Sequence, residues 1–236
     1  MSKYDILLPD YPRTRHLPWK ANAKRDDLIA SEKEAKVIFE SDNVFVEEKI
    51  DAASVGITIL DEQPVIRNRN HILNKSFAAK TPAKMQFASI WNWFYEHQEM
   101  FKDLFELAGP VTLYGEWMWA VHGLEYDKLP AYFIPYDLFD HTDMHYKHTA
   151  FARQCLTNAG FATVPLLHQG KVQSYEQLEA LANGPSPFTT LSPREGIYIK
   201  ITDGKQIIQR FKMVRQDFIQ GEHWSKKQIK RNRLAK

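Results

Sequence analysis

Charged side chains set into strand-like apolar runs restrict how this chain can fold. Lys49 closes the run Val44-Phe45-Val46-Glu47-Glu48-Lys49-Ile50, and Glu116 interrupts the stretch from Val111 to Trp119. Glu195-Gly196 leads straight into Ile197-Tyr198-Ile199-Lys200, and Lys212 lies between Phe211 and Met213. A charge in such a setting is costly unless it is paired or used. If the four strands adjoin, two cations and two carboxylates line one polar pocket. Ordinary salt bridges across a sheet use the same residue types, so the pattern by itself leaves both readings open.

The surrounding pattern favours an α+β fold. The spacing predicts a helix over Asp26–Phe39, then an antiparallel pair of strands, 44–50 and 54–60, and a short strand starting at Val65–Arg67. Thr81 and Pro82 are suited to open a long helix that Gly109 closes. On it Phe87, Trp91, Phe94, Phe101, Leu104 and Phe105 recur mostly at spacings of three or four, which reads as core. Strands follow at 111–119 and 131–138, a helix at 146–159 ended by Gly160, and a short strand at 164–167. Ser174 to Gln177 forms a capping box for a helix reaching Asn183, and 196–214 reads as a hairpin across Asp203-Gly204. Antiparallel succession with interspersed helices argues against a doubly wound sheet. With no repeat and no Gly/Ser linker, the organisation expected is an extended arm over 1–25, one domain over 26–220 and a basic tail over 221–236.

Charge and composition exclude several classes. No stretch of about 18 apolar residues exists to span a bilayer, and the first residues lack the apolar centre of a signal peptide. Cys155 is the single cysteine, so no internal disulfide forms. A soluble, cytoplasmic protein is expected. Net charge is +2, with a local +5 over Glu222–Lys236; such a tail suits a polyanion such as nucleic acid, or a solvated end. Arg13, Arg15, Lys20, Lys24 and Arg25 can track a phosphate backbone. His141, His145 and His148 share a face if helical and can then bind Zn²⁺ or Ni²⁺, although the acids before them fit a solvated helix start. No Walker or Rossmann glycine spacing occurs.

A lysine is nucleophilic only as the free amine. Burial together with a second cation, Lys212 or Arg69, would lower its pKa. Nearby carboxylates oppose this unless they hold a divalent metal, which also draws in phosphate oxygens. Such a set suits attack on phosphorus, giving a phosphoramidate.

The ordered set Lys49-Ile50-Asp51-Ala52, Arg69-Asn70, Tyr114-Gly115-Glu116, Tyr136-Asp137-Leu138, Glu195-Gly196 and the Lys212 strand resembles the six motifs of the covalent nucleotidyltransferases, above all the ATP-dependent RNA ligases. The start Tyr11-Pro12-Arg13-Thr14-Arg15-His16-Leu17 looks like that of small bacterial and phage members. The resemblance runs from about residue 11 to 218 and implies a ligase adenylation-domain fold, mostly antiparallel sheets flanked by helices around an ATP pocket. It implies that Lys49 takes AMP covalently from ATP with Mg²⁺ or Mn²⁺, and that RNA ends are then joined through an adenylylated 5′ end, as in RNA repair. It further implies that Glu48 and Ile50 touch the adenine, Arg69 the ribose or phosphate, and Glu116 the ribose or metal. Tyr136 would stack on adenine, Glu195 would place the metal, Lys212 would neutralise the α-phosphate, and Lys200 would reach the triphosphate. Ala52 stands where the family carries glycine. Arg210 or Arg215 must supply the second cation of the last motif, and strand period favours Arg210. With no further domain after the last motif, capping and DNA joining are not expected. A nucleotide- or RNA-binding scaffold, or nucleotidyl transfer to a DNA end or protein, are the alternatives.

Overall fold

The computed structural model describes residues 3–19, 22–74, 85–218 and 229–235. Ser31 and Glu34 decide where the first long helix begins. The Ser31 hydroxyl accepts from the Glu34 backbone N–H while the Glu34 carboxylate accepts from the Ser31 N–H. The helix therefore spans Glu32–Glu40 (α2) and does not start at Asp26. Asp27 instead closes a turn, its carboxylate accepting from the Lys24 N–H. Before it the chain is not simply an extended arm. Lys3–Leu7 is helical (α1), and Arg15–His16 (β1) lies parallel to the last strand, with Leu8 and Leu17 buried.

Two five-stranded sheets follow. One comprises β1, Ile207–Val214 (β10), Gly196–Thr202 (β9), Val44–Lys49 (β2) and Leu166–Gln169 (β8), in that spatial order. The other comprises Ile72–Leu73 (β5), Gln63–Asn68 (β4), Ala53–Leu60 (β3), Val111–Trp117 (β6) and Phe133–Asp140 (β7). Every pairing but β1 with β10 is antiparallel.

One expectation fails here in an informative way. The runs 44–50 and 54–60 do not pair with each other. β2 lies between β9 and β8, whereas β3 lies between β4 and β6. Residues 50–52 are not a hairpin turn but the crossing from one sheet to the other, with Ile50 buried in the cluster that also holds Met118, Leu124 and Tyr126. The stretch expected as one long helix is two, Ile90–Glu96 (α3) and Gln98–Ala108 (α4), parted at His97. The His97 ring stacks on Trp93 and shares a 2.7 Å hydrogen bond with the Trp93 carbonyl. Its stripe is core as predicted: Phe87, Trp91, Phe94, Phe101 and Leu104 are buried. Thr81 and Pro82 lie outside the described residues, as do Lys20 and positions 219–228. Thr149–Asn158 (α5) begins after the 140–148 segment, so its three histidines do not share a helix face. His148 caps α5, and His141 bonds Thr112. Tyr175–Ala182 (α6) is capped by Ser174 as expected. Residues 229–235 are not a frayed tail but dock on the connection between β6 and β7.

Candidate functional site

Register places the charged residues. In the β2–β9 ladder Lys49 stands opposite Gly196, and on its other side Gly196 pairs with Val214 of β10. A Cβ at Gly196 would lie 2.0 Å from the Met213 carbonyl oxygen, so β10 can approach this closely only over a glycine. Beside this position Lys49 Nζ donates to Glu195 Oε2 at 2.6 Å. Two pairs further along, Lys212 lies opposite Tyr198. From the other sheet, Glu116 stands opposite Ser54, and the Tyr136 hydroxyl lies 3.3 Å from Ser54 Oγ.

Both sheets contribute to a cavity of about 540 Å³ onto which Lys49, Arg69, Glu116, Tyr136 and Lys212 open. Sequence reasoning missed three further walls. Tyr11, from the segment read as a phosphate-tracking arm, packs edge-on against Tyr136 with ring centres 5.2 Å apart. The Tyr198 ring lies 5.9 Å from Lys49 Nζ. Asp27 binds Lys212 at 3.1 Å. Period two along β9 puts Tyr198 on the face of Lys200, a signal that could have found it; the Asp27 contact spans 185 positions and has none.

Five predicted positions sit elsewhere. Lys200 does not face the cavity. It is 1% exposed and binds Glu47 at 2.5 Å, Asp137 at 2.7 Å and the Tyr136 carbonyl at 3.0 Å. It is thus the centre of a buried ladder, Arg153–Glu47–Lys200–Asp137–Arg210, that bolts the sheets together. Arg210 is its last rung and also lies over the Tyr146 ring, 4.2 Å from its centre. Arg215 is engaged too, with Asp217 and the Arg194 carbonyl. Glu48 is buried with its side chain 3.7 Å from Arg194. Strand period carried past Lys49 would put Asp51 on the same face, but β2 ends at Lys49 and alternation ends with it. Its carboxylate accepts from the Gly123 and Leu124 N–H groups. Ala52 is not among the described residues with positive φ, so its backbone conformation does not require glycine.

Electrostatics differ from the sequence expectation. Burial pulls the Lys49 pKa down, but the charge of Glu195, with Tyr198 and Asp51, outweighs it, and Lys49 is held well above the ordinary lysine value as an ammonium. The second cation, Lys212, is itself lowered by burial against the opposing pull of Asp27. Burial pushes Glu116 up to about 8, with Lys49 opposing, and Glu195 up to about 7, again with Lys49 opposing. Glu48 rises to about 7 through burial, partly offset by Ser186 and Arg194. Glu116 Oε2 is buried and has no hydrogen-bond donor among the described residues. An orphaned carboxylate oxygen beside a second carboxylate is a donor set that fits a hard divalent cation. No group of three such ligands occurs among the described residues, so phosphate oxygens and water would complete the shell.

These shifts predict a pH dependence of stability. A carboxyl whose folded pKa lies above its unfolded value holds more protons folded than unfolded, so stability falls as pH rises through the folded pKa. Glu48, Glu116 and Glu195 all have this sign. His16, lowered to about 4 by burial and Lys212, acts below its unfolded value near 6.5 and leaves higher pH untouched. The midpoint of thermal unfolding of the ligand-free protein should therefore drop between pH 6.5 and 8.5. Glu116→Gln should flatten that drop; an unchanged slope would show that Glu116 does not titrate there.

Residues 42–214 match the family described as RNA ligase. No curated protein matches the chain. Among solved structures, a Naegleria gruberi RNA ligase with PPi is similar at 22% identity and a TM-score of 0.57, covering 91% of this chain and 60% of that one. A mutant of that ligase with AMP and Mn gives 21%, 0.55, 78% and 52%. Another mutant with ATP and Mn gives 23%, 0.54, 76% and 52%. The chain thus spans little more than half the length of the ligases it matches.

Proposed function

This chain belongs to the RNA ligase family, and from that premise we propose that it is an ATP-dependent RNA ligase acting through a lysyl-AMP on Lys49. What carries the reading is the convergence of Lys49, Glu116 and Lys212, from strands far apart in sequence, on one cavity, with the buried Glu195 held 2.6 Å from the Lys49 amine. Similarity to ligases with ATP, AMP and PPi supports it, since these would be the substrate, the transferred group and the leaving product.

In this reading Lys49 Nζ forms a bond to the α-phosphorus while the bond from phosphorus to pyrophosphate breaks. Glu195, 2.6 Å away, is placed to take the proton the amine must lose. Lys212 neutralises charge on the α-phosphate, and Tyr136 with Tyr11 offers an aromatic wall for the base. Arg69 reaches ribose or phosphate. A bound Mg²⁺ or Mn²⁺, held by Glu116 and Glu195, would supply charge neutralisation at the phosphates. AMP then passes to an RNA 5′-phosphate, and a 3′-hydroxyl displaces it to seal the strand. Lys200 and Arg210, assigned to nucleotide in the sequence reading, act instead as the frame that fixes the distance between the sheets.

No helix among the described residues is long and apolar enough to cross a membrane. We place the domain over 26–220, joined by an N-terminal segment that contributes Tyr11 and a C-terminal segment docked on the body.

The test is incubation of the protein with [α-³²P]ATP and Mg²⁺ or Mn²⁺, followed by nicked, stem-loop or single-stranded RNA carrying a 5′-phosphate. The expected result is label on protein that survives denaturing electrophoresis, then sealed product. Label without sealing on any RNA would confine the activity to the first step and favour another acceptor. ATP binding without label would leave a binding scaffold.

A further inference from the structure

The link between β6 and β7, Met118 to Tyr132, is long and contains no helix or strand. Links of this length in a compact domain are uncommon unless they are functional. Residues 230–235 hold it. The Asn232 side-chain amide donates to the Met118 carbonyl at 2.8 Å and the Ala120 carbonyl at 3.1 Å, and its oxygen accepts from the Tyr126 N–H at 2.8 Å. Asn232 is 1% exposed. Backbone bonds from Asn232 to Trp119 and from Arg233 to Tyr126 run alongside, and Arg231 lies over the rings of Trp119 and Tyr132.

The held loop grips the chain next to the nucleophile. The Tyr126 hydroxyl accepts from the Asp51 N–H at 2.8 Å, and the Asp51 carboxylate accepts from the Leu124 N–H at 2.9 Å. A Cβ on Gly123 would stand 2.7 Å from that carboxylate, so the loop meets Asp51 closely. Ile50 is buried against Met118, Leu124 and Tyr126. Lys49 is the last residue of its strand, so the ladder holds its backbone on one side, and on the other the loop's bonds to Asp51 hold the chain two residues on.

We infer that Asn232 is a positioning residue for Lys49, acting through Tyr126 and Asp51. The inference rests on Lys49 being the nucleophile. Truncating Asn232 leaves the Tyr126 N–H and two carbonyls unpaired in a buried site, so the loop must rearrange to satisfy them. The amine then loses its aim, while ATP still meets Lys212, Glu116 and Arg69.

The experiment is a double-mutant cycle on the full chain with Asn232→Ala and Tyr126→Phe, read by single-turnover self-labelling with [α-³²P]ATP and by ATP affinity. Each single variant should slow labelling by roughly ten- to a hundredfold, as misplacement of a reacting group does, with ATP affinity almost unchanged. The double variant should be little slower than the slower single, because the two lie on one path. Multiplying effects, or wild-type rates in both singles, would overturn the inference. Should Asn232→Ala fail to fold, Tyr126→Phe removes one oxygen and reads the same link alone. If wild type takes no label, the ligase reading has failed, and amide hydrogen exchange decides this one: Asn232→Ala must speed exchange of the Asp51 N–H, and unchanged protection refutes the link.

Discussion

Lys49→Ala protein is expected to take no label from [α-³²P]ATP, with the rate falling by at least about a thousandfold, as it does when a catalytic nucleophile is removed. Binding of ATP should change by only a few-fold, since Lys212, Glu116, Arg69 and the tyrosine wall remain. Folding should survive as well. The Lys49 side chain is 16% exposed beside an open cavity, so water can take the place of the ammonium. Glu195, left behind, can simply hold a proton, because its pKa already stands at about 7. Lys49→Arg sharpens the test. A guanidinium keeps the charge and can still bind Glu195, but it does not deprotonate in proteins and offers no lone pair. If Lys49→Arg labels like wild type, Lys49 serves as a charge and the covalent mechanism is wrong.

Lys200→Met should have the opposite signature, with a large loss of stability. Lys200 is buried between Glu47 and Asp137, where the adjoining void is only about 10 Å³, at the lower limit for one water. Methionine keeps the volume but leaves two carboxylates facing each other with no cation between them. Removing one partner from a buried ion pair typically costs about 3–5 kcal/mol, so the unfolding midpoint should fall by roughly 10 °C. Arg153 and Arg210 still serve the outer oxygens, which keeps the effect near that range. A midpoint within about 2 °C of wild type, where each kcal/mol is worth roughly 2–4 °C, would show that the ladder does not join the sheets. Replacing the whole Glu47–Lys200–Asp137 set by apolar residues of similar size should cost far less than the single change.

The contrast between these lysines shows how far the chain could be read unaided. Both close an apolar, alternating run, and nothing local separates them. Their fates diverge because Lys49 opens onto a cavity, whereas Lys200 lies under Tyr136, 5.6 Å from that ring, between two carboxylates. Arg210 was matched to Lys212 by strand period, which says which face a side chain leaves from but not what waits there. Asp51 shows the limit of that rule from the other side: period two ends with the strand, at Lys49.

Alternation and turn chemistry determined most of the strands, the α6 cap, the aromatic core of α4 and the α+β class, because each depends on residues a few positions apart. The motif residues of the cavity were also marked locally, as charges that apolar strands would not otherwise hold. Tertiary structure alone decided that 44–49 and 53–60 enter different sheets, that Asp27 meets Lys212, and that a basic C-terminal stretch grips the loop beneath the nucleophile. Those contacts join segments far apart in sequence, and whether a charge meets solvent, a partner or a ligand depends on burial, which no short stretch of chain contains.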